Sequence, residues 1–270
     1  MTHRYGDAKE AFVDEIKVDE YIELEGSKRA YEQLEHSLDK SLKMVLLFGR
    51  PGTGKTLLLN RLYQRYKHQK DLHFIETPSG TRRDFYEKLF RIFTGQPMPP
   101  KTKVNFETFV AFGKKIKGER KIAVLVDEAQ MYPSELLEEI RILSDTGSIK
   151  FVISLHKTED EDLVAKKHFQ SRIWETIELK NADRHELKAY VHKRLLYHGL
   201  TELANQLVDR HFKFIHRCTE GNFRECNKLL YTAFEICEHY DKHDPTKLDY
   251  SKFSMKMLEM AAIKTGMLHV

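Results

Sequence analysis

The segment at residues 49–56 constrains the fold of this chain more than any other, because it joins a strand pattern to a helix pattern. It is an uninterrupted match to the phosphate-binding pattern GxxxxGK[ST], read as Gly49, Arg50, Pro51, Gly52, Thr53, Gly54, Lys55 and Thr56. Residues 44–48 form a continuous apolar run, typical of a strand buried on both faces, and Leu58 and Leu62 fall on one side of the next helix. A glycine-rich turn that binds nothing is the alternative, but strand, loop and helix in register favour a nucleotide site.

The residue types of this loop suit a triphosphate. Its glycines allow backbone N–H groups to turn inward around a β-phosphate at the helix N-terminus. Lys55 can reach the β- and γ-phosphates, and the Thr56 hydroxyl can ligate Mg²⁺. The sequence therefore predicts ATP and Mg²⁺ as ligands, with a nucleotide-binding set that comprises residues 49–56 and Leu57.

Two acids follow a second buried strand pattern, about seventy residues after the loop. Residues 122–126 are apolar and end in Asp127 and Glu128. We assign Asp127 to the Mg²⁺ shell and Glu128 to the attacking water, which it would orient and deprotonate. Strands often end in acidic turn residues without a function, but after a complete phosphate loop that alternative loses its weight.

Composition is compatible with a cytoplasmic enzyme and says little about partners. The 45 basic and 41 acidic residues leave a charge of +4, and from Asp183 onward there are 14 basic and 12 acidic residues, so charge does not indicate nucleic acid. Three cysteines, an odd number, fit reduced thiols rather than a disulfide framework. No apolar stretch is long enough to cross a membrane, and the N-terminus lacks a signal-peptide core, so we expect no direct membrane insertion.

Hydrophobic periodicity predicts an α/β region followed by a helical one. Strand patterns alternate with helix patterns at 44–48, 72–75, 122–126, 151–155 and 173–179. This alternation predicts a doubly wound, parallel, five-stranded sheet with helices on both faces. Ser27 is predicted to cap the helix before the first strand. After Asp183 and Glu186, which form a capping-box pattern, only helix patterns follow, at 187–195, 201–219, 222–240 and 251–264. We therefore predict an N-terminal extension at 1–26, a core at 27–181 and an all-helical lid at 182–270.

A core of this kind with a helical lid resembles the AAA+ class of P-loop NTPases. Within it, residues 17–262 resemble the general secretion pathway protein A family. The most specific segments are residues 126–130, read Val-Asp-Glu-Ala-Gln, the helix pattern at 134–144, Ser-Arg-Ile at 171–173, and Gly-Asn-Phe-Arg-Glu-Cys-Asn-Lys-Leu at 221–229. They occur in the order and spacing of that family.

The resemblance implies further catalytic residues beside Lys55 and Glu128. Arg224 matches the lid arginine called sensor 2, which touches the γ-phosphate in its own subunit. Arg172 matches the arginine finger, which acts on the nucleotide of a neighbouring subunit; a surface salt bridge with Glu175 is its alternative. Either cation would offset charge that develops in the transition state. The polar sensor 1 residue is Ser154 or His156, and we favour His156.

The resemblance also implies a homo-oligomer that forms with nucleotide. One expected role is to energise or remodel a secretion, pilus or DNA-uptake machine, with the inner membrane reached through partner proteins. A second is that of a DNA-associated transposition regulator similar to the TniB ATPases. A third, a nucleotide switch that barely hydrolyses ATP, is disfavoured by Glu128.

Overall fold

The computed structural model describes residues 4–15, 17–41, 43–100, 102, 105–156 and 173–268. They divide into two compact units. The first, here called the sheet unit, comprises the described residues of Arg29–Pro51 and Lys55–Leu179. The second, the helical unit, comprises those of Met1–Lys28 and Lys180–Val270, and Gly52–Gly54 is grouped with it.

The sheet unit is built on five parallel strands in the order β2-β3-β4-β1-β5. These strands are β1 (Met44–Gly49), β2 (Leu72–Ile75), β3 (Ile122–Val126), β4 (Ile149–His156) and β5 (Ile173–Leu179). The predicted five-stranded parallel sheet is confirmed. Because β4 lies between β1 and β3, the phosphate loop and the acidic strand end flank the carboxyl end of the same strand.

The α-helices of the described residues are numbered here in chain order. They are α1 (Arg4–Glu10), α2 (Glu25–Asp39), α3 (Lys55–Tyr66), α4 (Arg82–Thr94), α5 (Phe106–Lys115), α6 (Ser134–Asp145), α7 (Arg184–Tyr197), α8 (Thr201–Gln206), α9 (Asp209–Thr219), α10 (Phe223–His243) and α11 (Met255–Lys264). Short 3₁₀ turns occur at Val18–Glu20, Ala129–Met131 and Pro245–Lys247. Among the residues described, no helix is both long and apolar enough to cross a bilayer.

Helices cover both faces of the sheet, as the pattern predicts. On one face, side chains from α4, α5 and α6 pack against alternate strand residues in one cluster that includes Met44, Leu46, Phe85, Leu89, Phe109, Val124, Val126, Leu136, Ile140 and Phe151. The intervening strand residues Val45 and Leu47 are also buried, and α3 contacts β1 and β2. Burial on both faces explains why these strands read as continuous apolar runs.

The N-terminal residues belong to the core of the helical unit. Phe12 is buried, and its ring stacks on that of Phe234 in α10 at a centroid distance of 5.8 Å. Ala8 and Ala11 are fully buried, and the Arg194 side chain in α7 donates to the carbonyl of Ala11. The division of the chain into domains stays a prediction, but the packing groups this extension with the helices of 180–270.

Two local expectations differ from the structure. Ser27 does not precede α2 but lies in its first turn, where its Oγ accepts from the Leu24 backbone N–H at 3.2 Å. The pattern at 201–219 forms two helices, because Leu207 is extended and buried and Val208 is extended as well. The predicted capping box of Asp183 and Glu186 is present.

Candidate nucleotide site

The phosphate loop closes on itself between β1 and α3. Gly52 and Gly54 have φ angles of 80° and 93°, in the left-handed region where a Cβ would be strained. The Lys55 ammonium is almost fully buried and donates to the carbonyls of Gly49 at 2.8 Å and Arg50 at 3.0 Å. The predicted loop residues thus form a tight turn that holds the lysine within it.

Thr56, in the first turn of α3, meets the acid at the end of β3. Its hydroxyl donates to Asp127 Oδ2 at 2.6 Å, and Asp127 is only 1% exposed. A hydroxyl and a carboxylate are the hard oxygen donors that Mg²⁺ prefers. The two residues predicted as metal ligands from distant parts of the sequence therefore lie in contact, and their chemistry fits the ion.

Glu128 has a backbone conformation that is costly for a residue with a side chain. Its φ and ψ are 51° and 42°, and Glu220 is the other non-glycine with a positive φ among the described residues. Left-handed backbone costs an L-residue about 1–2 kcal/mol. Such conformations cluster at functional sites, and here the turn sets the direction of the candidate base.

Two side chains engage the Glu128 carboxylate. His156 Nε2 lies 2.9 Å from Oε1, and Gln130 Nε2 donates to Oε2 at 2.5 Å. Because a carboxylate only accepts, the His156 ring donates from Nε2. Gln130 Oε1 also accepts from the His156 backbone N–H at 3.3 Å, so the three residues form one network. Sequence reasoning did not assign a role to Gln130; its position two residues after Glu128, within a short turn, was the available signal.

The structure brings His156 rather than Ser154 to Glu128. His156 ends β4 and is in register with Gly49 at the start of the phosphate loop. Ser154 is fully buried in the same strand, and its hydroxyl has no hydrogen-bond partner among the described residues. The identity of sensor 1 stays a prediction, and this geometry supports His156.

Arg224 lies at the start of α10 in the helical unit. Asn222 caps this helix, because its Oδ1 accepts from the backbone N–H groups of Arg224 and Glu225 at 3.1 and 3.2 Å. Gly221 has a φ of 77°, and a Cβ there would lie 1.8 Å from the carbonyl oxygen of Ala182. The Arg224 guanidinium pairs with Asp14 at 3.1 Å and stays more than half exposed.

Arg172 lies outside the described residues. Its alternative role as a salt-bridge partner of Glu175 stays untested, although the Glu175 carboxylate pairs with Lys40 at 3.0 Å. The arginine-finger assignment therefore remains a prediction from the resemblance.

Known proteins of similar sequence support a nucleotide site at these residues. A family model described as an AAA domain matches residues 38–162, which include the phosphate loop, Asp127, Glu128 and His156. General secretion pathway protein A of Aeromonas hydrophila is 24% identical over 249 residues, which cover 87% of this chain and 44% of that protein. Residues 38–162 of the chain are therefore similar to an AAA domain. The predicted resemblance to general secretion pathway protein A is confirmed.

A second relative of the chain has another role in its name. The Mu-like prophage FluMu DNA transposition protein B of Haemophilus influenzae is 25% identical over 167 residues, 60% of this chain and 55% of that protein. The chain spans about half the length of the curated relatives it matches.

Solved structures show the same fold at low sequence identity. The Aeropyrum pernix ORC1 protein, solved with DNA, has a TM-score of 0.61 at 14% identity and covers 95% of this chain and 69% of that chain. Cdc6p of Pyrobaculum aerophilum has a TM-score of 0.60 at 17% identity, covering 86% and 66%. Thermotoga maritima RuvB has a TM-score of 0.52 at 19% identity, covering 94% and 73%. The chain thus has the P-loop fold that its sequence predicts.

Proposed function

We propose that this chain is an AAA+ ATPase that hydrolyses Mg-ATP as a nucleotide-dependent homo-oligomer and energises or remodels a secretion, pilus or DNA-uptake machine. The observation that carries the hydrolytic part is the convergence of Glu128, Gln130 and His156 beside the contact between Thr56 and Asp127. The similarity to general secretion pathway protein A supports the machine. In this proposal the chain acts in the cytoplasm and meets the inner membrane through partners.

Each residue of the site has a distinct part in the reaction. Lys55 and the backbone N–H groups of residues 49–57 bind the phosphates. Thr56 and Asp127 would hold Mg²⁺, which when bound would neutralise charge on the phosphate oxygens. Glu128 accepts a proton from water while the water oxygen bonds to the γ-phosphorus and the bond to the ADP oxygen breaks. His156 and Gln130 hold the carboxylate of Glu128 in the direction its turn gives it.

Two arginines complete the site in the assembled state. Arg224 is proposed to contact the γ-phosphate in its own subunit, for which it exchanges its exposed pair with Asp14. Such surface pairs contribute little, so the exchange costs less than a charge-assisted bond to phosphate gains. Arg172 is proposed to act on the nucleotide of the neighbouring subunit. Since that contact exists only with nucleotide present, assembly should depend on ATP.

Light scattering tests the proposed assembly. Glu128→Gln saturated with Mg-ATP should give a larger mass than the same variant with ADP or without nucleotide. Lys55→Ala, which is expected to bind no nucleotide, is the matched control and should keep the smaller mass under all conditions. An identical mass of Glu128→Gln in all three nucleotide states would refute the nucleotide-dependent oligomer.

Mixing variants separates the two arginines. An inactive Arg172→Ala chain mixed with Lys55→Ala should regain ATPase activity, because the Lys55→Ala subunit still supplies Arg172. Arg224→Ala should gain nothing from the same partner, because it serves its own nucleotide. Rescue of Arg224→Ala but not of Arg172→Ala would reverse the two assignments.

A DNA-associated transposition regulator is the second candidate, supported by the similarity to FluMu transposition protein B. Genes for a transposase beside the gene of this ATPase would favour it, and genes for a pilus or secretion machine would favour the first candidate.

A further inference from the structure

The helical unit contains a concave groove whose lining carries more basic than acidic side chains. Its volume is about 750 Å³, and its walls come from α7, α9 and α11. Four permanent cations line it, Arg184, Arg210, Lys213 and Arg217, together with His216 and a single acid, Glu259. The near-neutral composition of residues 183–270 therefore conceals a local excess of positive charge.

The α9 helix supplies most of this charge from one face. Arg210, Lys213 and Arg217 are spaced i, i+3 and i+7, and all three are exposed, whereas the opposite face of the helix is buried through Phe212 and Ile215. At 1.5 Å per residue the three cations extend over roughly 10 Å along the helix. They form a row of charge rather than a point.

Within the described residues these cations have no acidic partner, unlike several others in the same unit. Lys188, Lys242 and Lys264 pair with Asp209, Glu238 and Glu235 at 2.6–2.7 Å. In contrast, no carboxylate within the described part of the chain lies at ion-pair distance from Arg184, Arg210, Lys213 or Arg217. Unpaired cations gathered in one concave surface leave a positive field there.

We propose that this groove binds the phosphate backbone of duplex DNA without regard to sequence, which goes beyond the proposed ATPase function. Duplex DNA carries about one negative charge per 1.7 Å of its axis, so a row of cations meets a phosphate at every position. The lining contains no Asn or Gln among its described residues, and these are the side chains that pair with adenine edges. Arg and Lys can also pair with guanine edges, but a row of exposed cations meets the phosphates first, so we expect contact with the backbone.

The shape and polarity of the groove favour a nucleic acid over a lipid surface. A helix that lies in a membrane interface exposes large apolar side chains beside its cations. On α9 the aromatic residue of the groove, Phe214, is only 6% exposed, and the Arg217 guanidinium lies over its ring at 5.2 Å from the centroid. A concave wall also accepts a rod better than a flat bilayer.

The salt dependence of DNA binding tests the proposal. Polarisation of two labelled 30-base-pair duplexes of different sequence, titrated with the full chain at several salt concentrations, gives the slope of log K against log salt. Each lost phosphate contact reduces that slope by about 0.9, so Arg210→Ala/Lys213→Ala should lose about 1.8 units of slope and bind both duplexes more weakly.

A matched variant separates the groove from net charge. Lys247→Ala/Lys252→Ala removes two exposed cations from the same unit, each paired with an aspartate outside the groove, and should leave affinity and slope unchanged. Circular dichroism checks the fold of both variants. ATPase activity without DNA should stay equal in both, so the proposal can fail while the ATPase function stands.

Three results would contradict the proposal that this groove binds DNA. The first is an equal weakening by both double variants, and the second is a groove variant with the slope of the unaltered chain. The third is binding of the unaltered chain to vesicles of anionic phospholipid but not to either duplex. A strong preference for one duplex would refute sequence-independent contact.

Discussion

The two units differ in how their functional residues are arranged along the sequence. In the sheet unit, functional side chains follow the ends of strands and stand next to one another, as Asp127 and Glu128 do. In the helical unit, the groove takes Arg184 from α7, three cations from α9 and Glu259 from α11, and no short motif contains them. Strand-end sites can be read as consecutive residues, but sites on helix faces exist only once the helices pack.

The largest expected effects come from substitutions in the nucleotide site of the sheet unit. Lys55→Ala should abolish ATP binding, because the loop loses the cation that faces the phosphates. Glu128→Gln should keep ATP affinity but lower the turnover number by at least about a hundredfold, because the amide cannot accept the proton of water. Equilibrium binding of a fluorescent ATP analogue and phosphate release measure the two quantities. An equal loss of ATP affinity in both variants would contradict the role of Glu128.

The next largest effect should be on the stability of the helical unit, which we expect to depend on its N-terminal segment. Phe12→Ala removes a fully buried ring and should lower the free energy of unfolding by about 3–5 kcal/mol. Phe12→Leu, which keeps most of the volume, should cost less. Hydrogen exchange resolved by peptide should show lost protection in residues 223–243, where Phe234 receives the ring. Unchanged protection there would mean that the segment is dispensable.

Sequence alone predicted most of the sheet unit and little of the tertiary detail. All five strands and the loop were visible because burial on both faces leaves continuous apolar runs. The role of residues 4–28 was not visible in the sequence, because they pack on helices 160 or more residues away, as the bond from Gly26 to Glu186 illustrates. Gln130 was missed as well, since only the turn at Ala129–Met131 directs its amide to Glu128.

A smaller effect on turnover would distinguish the two candidates for sensor 1 in β4, His156 and Ser154. His156→Ala should lower the turnover number by roughly tenfold, equal to about 1.4 kcal/mol in the barrier, because Glu128 loses one of its two holding contacts. Ser154→Ala is the matched control, and should leave turnover nearly unchanged because its hydroxyl does not contact the Glu128 network in the structure. Steady-state phosphate release measures both. The reverse pattern would make Ser154 the sensor.

The smallest expected effect concerns a pH-dependent ion pair that joins α1 to α10. Hydrogen bonds from Lys242 and Lys9, at 2.6 and 2.8 Å, lower the pKa of Glu238 to about 2. Because this pKa is lower in the folded chain than the ordinary value of 4.5, the stabilisation is complete above about pH 4.5 and is lost as the pH falls toward 2. Glu238→Gln should therefore lower the free energy of unfolding at pH 7 by about 1 kcal/mol or less.

Urea denaturation at pH 7, 5 and 3 measures how this difference between Glu238→Gln and the unaltered chain changes. It should be nearly the same at pH 7 and 5 and become smaller at pH 3, since the carboxyl of the unfolded chain, with its ordinary pKa of 4.5, takes up a proton there before the native carboxylate does. Glu235→Gln removes a carboxylate from the same helix whose partner, Lys264, belongs to α11, and so leaves the tie to α1 intact. A difference for Glu238→Gln that stays constant down to pH 3 would show that Lys9 and Lys242 do not stabilise this carboxylate in solution. The N-terminal segment would then be held to the helical unit by its other contacts, such as the packing of Phe12 and the bond from Arg194 to the Ala11 carbonyl.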